Sequence, residues 1–153
     1  MLPETSPEHY LTGTAALSIP TDDGEVADWH FDAAFLRAGT RFRVSGVNFP
    51  STQRHLGSEG VRECSSVLRQ RAVPLPEGTA FYAASHARAV LDLVLATTAE
   101  HKRPCFLQAS DLLSKRDLAM VFRRLHQLRF LFNDEVQTGL IEQWINQQQN
   151  ANT

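Results

Sequence analysis

Asp28 and His30 are the residues whose types and spacing come closest to a reactive pair. Side chains two positions apart on a strand share a face, so the carboxylate and imidazole of Asp28-Trp29-His30 could share a proton or begin a metal site. A metal site needs further ligands, and no cluster of histidine and cysteine at ligand spacing supplies them. The alternative is structural: Trp29 anchors a sheet on the core, and its two neighbours are solvated.

A second group of polar residues lies inside the longest apolar stretch of the chain, residues 81–100. The apolar residues recur at helical spacing on most sides, which predicts a buried central helix, capped by Ser85. His86 could be a general base, although a buried imidazole bonded to backbone is the commoner role. Arg88 and Asp92 are spaced i, i+4 in the weaker order for an intrahelical ion pair, so we expect both to bind other partners.

Cys64 follows two charged residues, Arg62 and Glu63, on a helix predicted over about residues 58–70. A histidine that lowers its pKa could make this cysteine a nucleophile, but no cysteine-hydrolase signature surrounds it. The structural alternative is a small buried thiol, and we expect Cys64 and Cys105 to be free and buried. Arg62 and Glu63 are expected to form ion pairs with the central helix.

The predicted helix over residues 114–129 carries a row of basic side chains on its polar face. Its members are Lys115, Arg116, Arg123, Arg124, His126 and Arg129. Arg116 and Arg123 lie on one side of the helix and Arg124 lies about 100° further round, so all three are expected to be exposed. Such a face is either simply solvated or turned toward an acidic protein partner or nucleic-acid phosphates.

Composition and motifs exclude several classes of function. The chain of 153 residues has a formal net charge of −2 at pH 7, so no global basic field holds nucleic acid. Phosphate loops, dinucleotide fingerprints, serine elbows and zinc-finger spacings are absent, and no metal or cofactor is expected. No apolar run reaches the length of a membrane span, and the first residues do not form a signal peptide, so we expect a cytoplasmic protein.

The pattern of apolar residues predicts a mixed fold. Hydrophobic residues make up 42% of the chain and charged residues 21%, a composition typical of folded domains. Strands are predicted over residues 10–19 and 40–47, and the alternation of the second is the clearest in the chain. We therefore expect an α+β fold in which a small antiparallel β-meander, about residues 10–47, packs on a four-helix C-terminal bundle.

The C-terminal helices have the strongest periodicity. Ser114 is the expected N-cap of the first, and Phe122 and Leu125 lie on its apolar stripe at i, i+3, i+4, i+7 spacing, which predicts that both are core residues. Asn133 is the expected cap of the second, with Val136 on its apolar face.

The chain is expected to form one domain. No internal repeat and no domain boundary is evident between residues 10 and 149. Residues 1–9 are polar and are expected to be flexible. Residues 150–153 end a polar, glutamine-rich tail and are also expected to be flexible.

Three segments of the sequence resemble a family of bacterial proteins. They are YLTGTAALSIP with DWHF, GVRECSSVLRQRAVPLP, and FYAASHARAVLDLV, within residues 10–95. The chain resembles small bacterial proteins that are partners of nucleotidyltransferase-type toxins in abortive-infection or toxin–antitoxin pairs. The resemblance implies an antitoxin that works by occupying another protein's surface, and it implies no catalytic residue.

The leading expectation is therefore a protein-binding module, an antitoxin that neutralises a toxin enzyme. Tryptophan and arginine dominate interface energetics, so the expected contact residues are Trp29, Arg62, Arg88, Arg116, Arg123 and Arg124. The first alternative is a small hydrolase or nucleotide-handling enzyme built on Asp28, His30 and His86. With Glu63 and Asp92 these form the possible polar site. The second alternative is a nucleic-acid-binding regulator that uses the basic helix over 114–129.

Overall fold

The computed structural model describes residues 2–21, 24–37, 39–100 and 105–151. The strands in these residues are β1 (Leu11–Thr12), β2 (Arg43–Val44), β3 (Val61–Glu63) and β4 (Tyr82–Ala84). The α-helices are α1 (Gly13–Leu17), α2 (Gln53–Leu56), α3 (Ser65–Gln70), α4 (His86–Glu100), α5 (Lys115–Leu128) and α6 (Glu135–Ala151). Short turns of π-helix and 3-10 helix lie at Asp32–Leu36, Ala109–Asp111 and Arg129–Leu131.

The strands form one mixed sheet in the order β2-β1-β4-β3. β1 pairs antiparallel with β2 through Leu11 and Val44, and parallel with β4 through Leu11 and Ala83. β3 pairs antiparallel with β4. A sheet beside several helices confirms the α+β class, but the antiparallel meander over 10–47 is not confirmed, since the sheet is mixed. The reason is that β1 takes its second neighbour from the segment just before α4, far along the chain.

The strand predicted over residues 10–19 is much shorter than expected. Only Leu11–Thr12 pairs, and the chain then enters α1 at Gly13. Gly13 has a φ of +74°, a left-handed conformation that glycine adopts readily and that ends the extended backbone.

The strand predicted over residues 40–47 is shortened as well, to Arg43–Val44. The Asn48 side chain accepts a hydrogen bond from the Val44 backbone N–H (2.7 Å) and donates one to the carbonyl oxygen of Phe42 (2.8 Å). These two bonds fold the chain into a local turn, which closes the strand in spite of its alternating pattern.

The helix predicted over 58–70 is interrupted by β3, which occupies Val61–Glu63. Gly60 has a φ of +78°, and a Cβ there would lie 2.9 Å from Arg88 Cβ, so this turn requires glycine. The chain leaves the turn in an extended conformation and becomes helical only at Ser65, the first residue of α3.

The stretch 81–100 also divides into two elements. Tyr82–Ala84 is β4, and α4 begins at His86. The backbone N–H of Arg88 donates a hydrogen bond to Ser85 Oγ (3.2 Å), which confirms Ser85 as the cap of the central helix.

α4 is buried on almost every side, as predicted. Its residues that are not fully buried are Leu93, Ala99 and Glu100. α4 contacts α1, α5 and α6 and forms with them the larger of two core clusters. α3 belongs to the second cluster, with Leu11 of β1 and Phe81. The predicted bundle of four helices is therefore not confirmed.

The last two helices are capped by side chains at, or next to, the predicted positions. Ser114 caps α5 as predicted, because its Oγ accepts a hydrogen bond from the backbone N–H three residues on (3.2 Å). α6 is capped by Asp134 rather than Asn133, because Asp134 Oδ1 accepts the bond from the Gln137 N–H (3.0 Å). Val136 is exposed, which corrects its placement on the apolar face.

Both chain ends are described in part. In the N-terminal segment 1–9, Thr5 Oγ1 accepts a hydrogen bond from the backbone N–H of Tyr82 (2.8 Å), so this segment contacts β4. At the other end α6 continues through Ala151. Residue 1 lies outside the described part of the chain. So do the last two residues of the predicted tail over 150–153.

Leu125 is fully buried, as predicted, whereas Phe122 is half-buried and its ring meets that of Trp144 edge-on, with centroids 6.1 Å apart. Leu125→Ala is therefore expected to lower the free energy of unfolding by about 2–5 kcal/mol. Val136→Ala is the matched control, and because this valine is exposed we expect a change of at most about 0.5 kcal/mol. Denaturant unfolding measures both. An unchanged midpoint for Leu125→Ala would show that this face of α5 is not core.

Candidate functional site

Arg88 and Asp92 form an ion pair inside the fold. Their side chains are 1% and 0% exposed, and Arg88 Nε lies 3.1 Å from Asp92 Oδ1. Burying two charges costs several kcal/mol per ion unless each charge finds partners. Neighbouring segments supply these partners, so the i, i+4 pair forms in spite of its unfavourable order along the helix.

Each carboxylate oxygen of Asp92 accepts two hydrogen bonds. Oδ2 accepts from the hydroxyls of Tyr10 and Thr12, both at 2.7 Å. Oδ1 accepts from Thr52 Oγ1 at 2.6 Å and from Arg88 Nε. Burial, and next the charge of Asp92, raise the pKa of the Tyr10 phenol, so this hydroxyl stays protonated and remains a donor.

The guanidinium of Arg88 is equally occupied. Nη2 donates to Thr52 Oγ1 (3.0 Å), and Nη1 donates to the carbonyl oxygen of Glu59. The group also lies over the Tyr10 ring, 5.1 Å from its centroid. Arg88 was expected to contact a partner and Asp92 to join a polar site. The burial of Arg88 corrects the first expectation, since this side chain does not reach the surface, and Asp92 makes its four hydrogen bonds within the fold.

Asp28, Trp29 and His30 lie in a loop rather than on a strand. Asp28 Oδ1 contacts His30 Nδ1 and accepts a hydrogen bond from the His30 backbone N–H (3.1 Å), so the carboxylate and the imidazole do meet. The Trp29 ring stacks on that imidazole, with centroids 3.8 Å apart. Trp29 is 83% exposed, so it does not anchor a sheet on the core and is accessible to a partner.

His86 takes the role of a buried imidazole bonded to backbone. It is 8% exposed, and its Nε2 lies 2.7 Å from the carbonyl oxygen of Ile19. Burial lowers the pKa of His86, so the ring is neutral at pH 7. It lines a cavity of about 240 Å³, and neither Asp28 nor His30 is among the lining residues. Asp28 and His30 therefore do not share the cavity that His86 lines.

Arg62 and Glu63, on β3, hold neighbouring segments in place. Arg62 donates to the carbonyl oxygens of Pro20 (3.0 Å) and Ile19 (3.1 Å). Glu63 Oε1 accepts from backbone N–H groups at the start of α3 and just before β4, at 2.9 and 3.0 Å. Burial opposes ionisation of Glu63, but these bonds lower its pKa and keep the carboxylate charged. Within the described ranges neither residue forms an ion pair with α4.

The three α5 arginines differ in their surroundings. Arg116 and Arg123 are exposed, as predicted, and no ion-pair partner for either is found in the part of the chain that the structure describes. Arg124 is half-buried instead. Its Nη2 lies 3.4 Å from Glu59 Oε2 and 3.3 Å from the carbonyl oxygen of His55, so this arginine fastens α5 to the α2 region.

An exposed apolar pair at the end of α5 was not expected from the sequence. Phe130 and Leu131 are 77% and 65% exposed. Phe130 lines an open depression of about 650 Å³ together with Arg123, His126, Gln127 and Arg129. We call the exposed pair, together with the other four residues that line the depression, the α5-end surface.

The sequence does contain a signal for this surface. The apolar stripe of α5 passes through Leu128, which is buried, to Phe132, which packs against the core. Phe130 and Leu131 lie between these two and fall outside the stripe. Large apolar residues that leave the core-facing stripe of a helix are candidates for an interaction surface.

Comparisons with known proteins leave the geometry as the guide to function. No family model, curated protein or solved structure matches the chain. Among the described residues, no group of three or more histidine, cysteine, aspartate or glutamate side chains is placed to hold a metal ion. In the same residues, no helix is both long enough and apolar enough to cross a membrane.

The Arg88–Asp92 pair leads to a test of stability. Asp92→Asn keeps the shape of the side chain but leaves the buried guanidinium without a counter-charge, so we expect a loss of about 3–5 kcal/mol in unfolding free energy. Asp28→Asn is the control, because this carboxylate is only half-buried and belongs to a loop. Chemical unfolding of both variants measures the difference. A loss below about 1 kcal/mol for Asp92→Asn would contradict a structural role for the pair.

The cysteines lead to a test of reactivity. Both are free and buried, as predicted, and burial raises the pKa of the Cys64 thiol to about 12 and that of Cys105 above its usual value. The thiolate fraction of Cys64 is then about a thousandfold below that of an ordinary cysteine. We expect neither thiol to react with a disulfide reagent in the native protein, and both to react in urea. Rapid native labelling of Cys64 would restore the nucleophile hypothesis.

Proposed function

We propose that the chain is a protein-binding module and that the α5-end surface is its main contact. The observation that carries this proposal is the exposure of Phe130 and Leu131 beside a row of basic side chains. Aromatic and arginine side chains supply most of the energy of protein interfaces. Exposing two large apolar side chains to water does not stabilise the isolated chain. Burying them against a partner lowers the free energy of the complex.

The charges of this surface predict the charge of the partner's surface. Arg129 lies over the Phe130 ring, 4.8 Å from its centroid, and pairs with Glu142 at 2.9 Å. Arg123 has no ion-pair partner in the described part of the chain, so it carries an unbalanced positive charge next to the apolar pair. The complementary surface is therefore acidic with an apolar centre. Trp29 is a second exposed aromatic residue of the kind that interfaces use, and we include it as a further contact.

The resemblance of three sequence segments supports a more specific proposal. It suggests that the partner is a toxin enzyme of the nucleotidyltransferase type, and that the chain acts as an antitoxin in the cytoplasm by covering it. Two of these segments include β1, α1, β4 and the start of α4, which build the scaffold around the buried ion pair. The resemblance therefore concerns the scaffold, and the α5-end surface supplies the contact.

The alternatives have less support. A hydrolase that uses Asp28, His30 and His86 needs them in one cleft, and the His86 cavity is lined by neither of the other two. A nucleic-acid-binding regulator needs phosphate contacts, for which Arg116 and Arg123 are the exposed candidates on α5. A basic face alone does not favour nucleic acid over an acidic protein, and an adjoining pair of apolar side chains favours the protein.

The proposal is tested with a Phe130→Ser, Leu131→Ser double variant. Calorimetric titration with the product of the neighbouring gene measures affinity, and co-expression measures rescue from toxicity. We expect the dissociation constant to rise by about tenfold or more, because two central apolar contacts are lost. Val47→Ser is the matched control, an exposed apolar residue on the turn after β2. Unchanged binding by the double variant would contradict the α5-end surface as the contact.

An Arg116→Glu, Arg123→Glu variant separates a protein partner from nucleic acid. Arg124 is left unchanged because its ion pair with Glu59 supports the fold. Duplex DNA, RNA and the neighbouring gene product are titrated at two salt concentrations. Each lost phosphate contact would reduce the log–log salt slope by about 0.9 for duplex DNA. Tight, steeply salt-dependent binding of the wild type to nucleic acid, abolished in the variant, would replace the antitoxin proposal with the regulator.

A further inference from the structure

An apolar cavity is lined by three segments: the N-terminal one, the residues around the π-helical turn Asp32–Leu36, and the residues after α3. Its volume is about 590 Å³. The apolar side chains with large surfaces that line it are those of Leu2, Phe35, Leu36, Phe42, Val73 and Pro74. Sites for small molecules are mostly apolar clefts of about 300–1,000 Å³ with a few polar groups that orient the ligand. The cavity has the size and the lining of such a site.

The end of α3 fixes one wall of the cavity. Ala72 has a φ of +64°, the left-handed conformation in which many helices end. The Ala72 N–H donates a hydrogen bond to the carbonyl oxygen of Arg69 (3.1 Å), and the Val73 N–H donates one to that of Leu68 (3.0 Å). These are the two bonds of a Schellman motif. The chain therefore leaves α3 in a defined direction, and buried Val73 forms part of the cavity floor.

A row of aromatic rings fixes a second wall. The ring of Phe35 meets that of Phe31 and that of Phe42, with centroids 4.8 and 5.6 Å apart. Thr40 Oγ1 donates a hydrogen bond to the carbonyl oxygen of Ala33 (3.0 Å), which ties the segment after the π-helical turn back to that turn. Both walls are held by contacts within the chain, so the cavity is formed before any ligand enters it.

The rim of the cavity exposes an apolar side chain beside a cation. Leu36 is 47% exposed although it is large and apolar. Arg37 is exposed as well, and it is the only ionisable residue among the described residues that line the cavity. No ion-pair partner for Arg37 is found within the described ranges, and Asp32, the acidic residue of the same turn, does not line the cavity. An apolar cavity with one unbalanced positive charge complements an apolar ligand with one negative charge.

We propose that this cavity binds a small-molecule monocarboxylate with an aliphatic or aromatic body. The guanidinium of Arg37 presents N–H donors in a planar fork, which match the two oxygens of a carboxylate. The apolar walls take up the body of the ligand, and the free energy falls with the apolar area that leaves water. A ligand with a cationic group would meet the arginine, and a second carboxylate would lie among apolar side chains without a partner.

The cavity is separate from the α5-end surface, because the two share no lining residue. Binding of an acid in the cavity therefore does not rest on the proposed function. The α5-end surface also combines apolar and arginine side chains, so a control must show which of the two sites an acid occupies. The Phe130→Ser, Leu131→Ser variant is that control, since it changes the α5-end surface alone.

The test is a titration of the full chain, followed by NMR, with octanoate and phenylbutyrate, each compared with its neutral amide. We expect both acids to shift the signals of Phe42 and Val73 with saturation. The amides keep the apolar body and lose the ion pair, so they should bind about fivefold more weakly. Tighter binding of octanoate indicates an aliphatic ligand, and tighter binding of phenylbutyrate an aromatic one. Equal affinities of acid and amide, or no saturation by either acid at tens of millimolar, would overturn the proposal.

Arg37→Gln tests the charge at the rim. We expect this variant to bind each acid only as tightly as the corresponding amide, and to bind the amides as the wild type does, because only the ion pair is lost. Arg54→Gln is the matched control: this arginine of α2 is also exposed and does not line the cavity, so its loss should leave every affinity unchanged. Equal weakening of the acids by the two variants would show an unspecific effect of net charge and contradict the site.

Leu36→Ser tests the apolar wall. Acids and amides share the apolar contact, so we expect this variant to weaken both by the same factor, about threefold or more. Val47→Ser is its control, an equally exposed type of side chain that does not line the cavity. Unchanged binding by Leu36→Ser, or loss of saturation in the Phe130→Ser, Leu131→Ser variant, would place the acids elsewhere and overturn the proposal.

Discussion

The ion pair between Arg88 and Asp92 is the interaction on which the rest of the structure depends. Two buried charges would destabilise the fold if any of their hydrogen-bonding positions lacked a partner. The partners come from Tyr10, Thr52 and the Glu59 carbonyl, which are separated from α4 by tens of residues. The pair is satisfied only when the N-terminal strand, the α2 segment and the turn before β3 all adopt their native positions. It therefore specifies how these segments are arranged around the central helix.

This role explains how so small a sheet persists. The strands are two or three residues long, and short isolated strands are marginally stable in water. β1 lies between β2 and β4, so it is one of the two central strands of the sheet. Tyr10 and Thr12, at the two ends of its pairing, both bond to Asp92. α4 thus holds the sheet in place through side chains. Gly60, just before β3, lets this edge strand approach α4 without a clash with Arg88.

Sequence patterns predicted the elements that depend on residues close together along the chain, and they missed pairings between residues far apart in the sequence. The central helix, α5 and the caps at Ser85 and Ser114 follow from periodicity and from hydrogen bonds three residues apart, so they could be predicted. The parallel pairing of β1 with β4 joins residues some seventy positions apart, and no local pattern encodes it. The order of Arg88 and Asp92 along the helix argued against an ion pair. That preference is a few tenths of a kcal/mol and is outweighed by the burial of both charges.

The same distinction applies to the polar residues that the sequence singled out. Arg88 and Asp92 on the central helix, and Arg62 and Glu63 on β3, form hydrogen bonds within the fold, so these conspicuous residues have structural roles. The residues with unused binding capacity lie at the surface, where Arg123 adjoins an exposed Phe130. Exposing large apolar side chains to water does not stabilise the isolated chain, whereas a partner that covers them lowers the free energy of the complex. In this fold, exposed groups that lack a partner are better guides to function than reactive residue types.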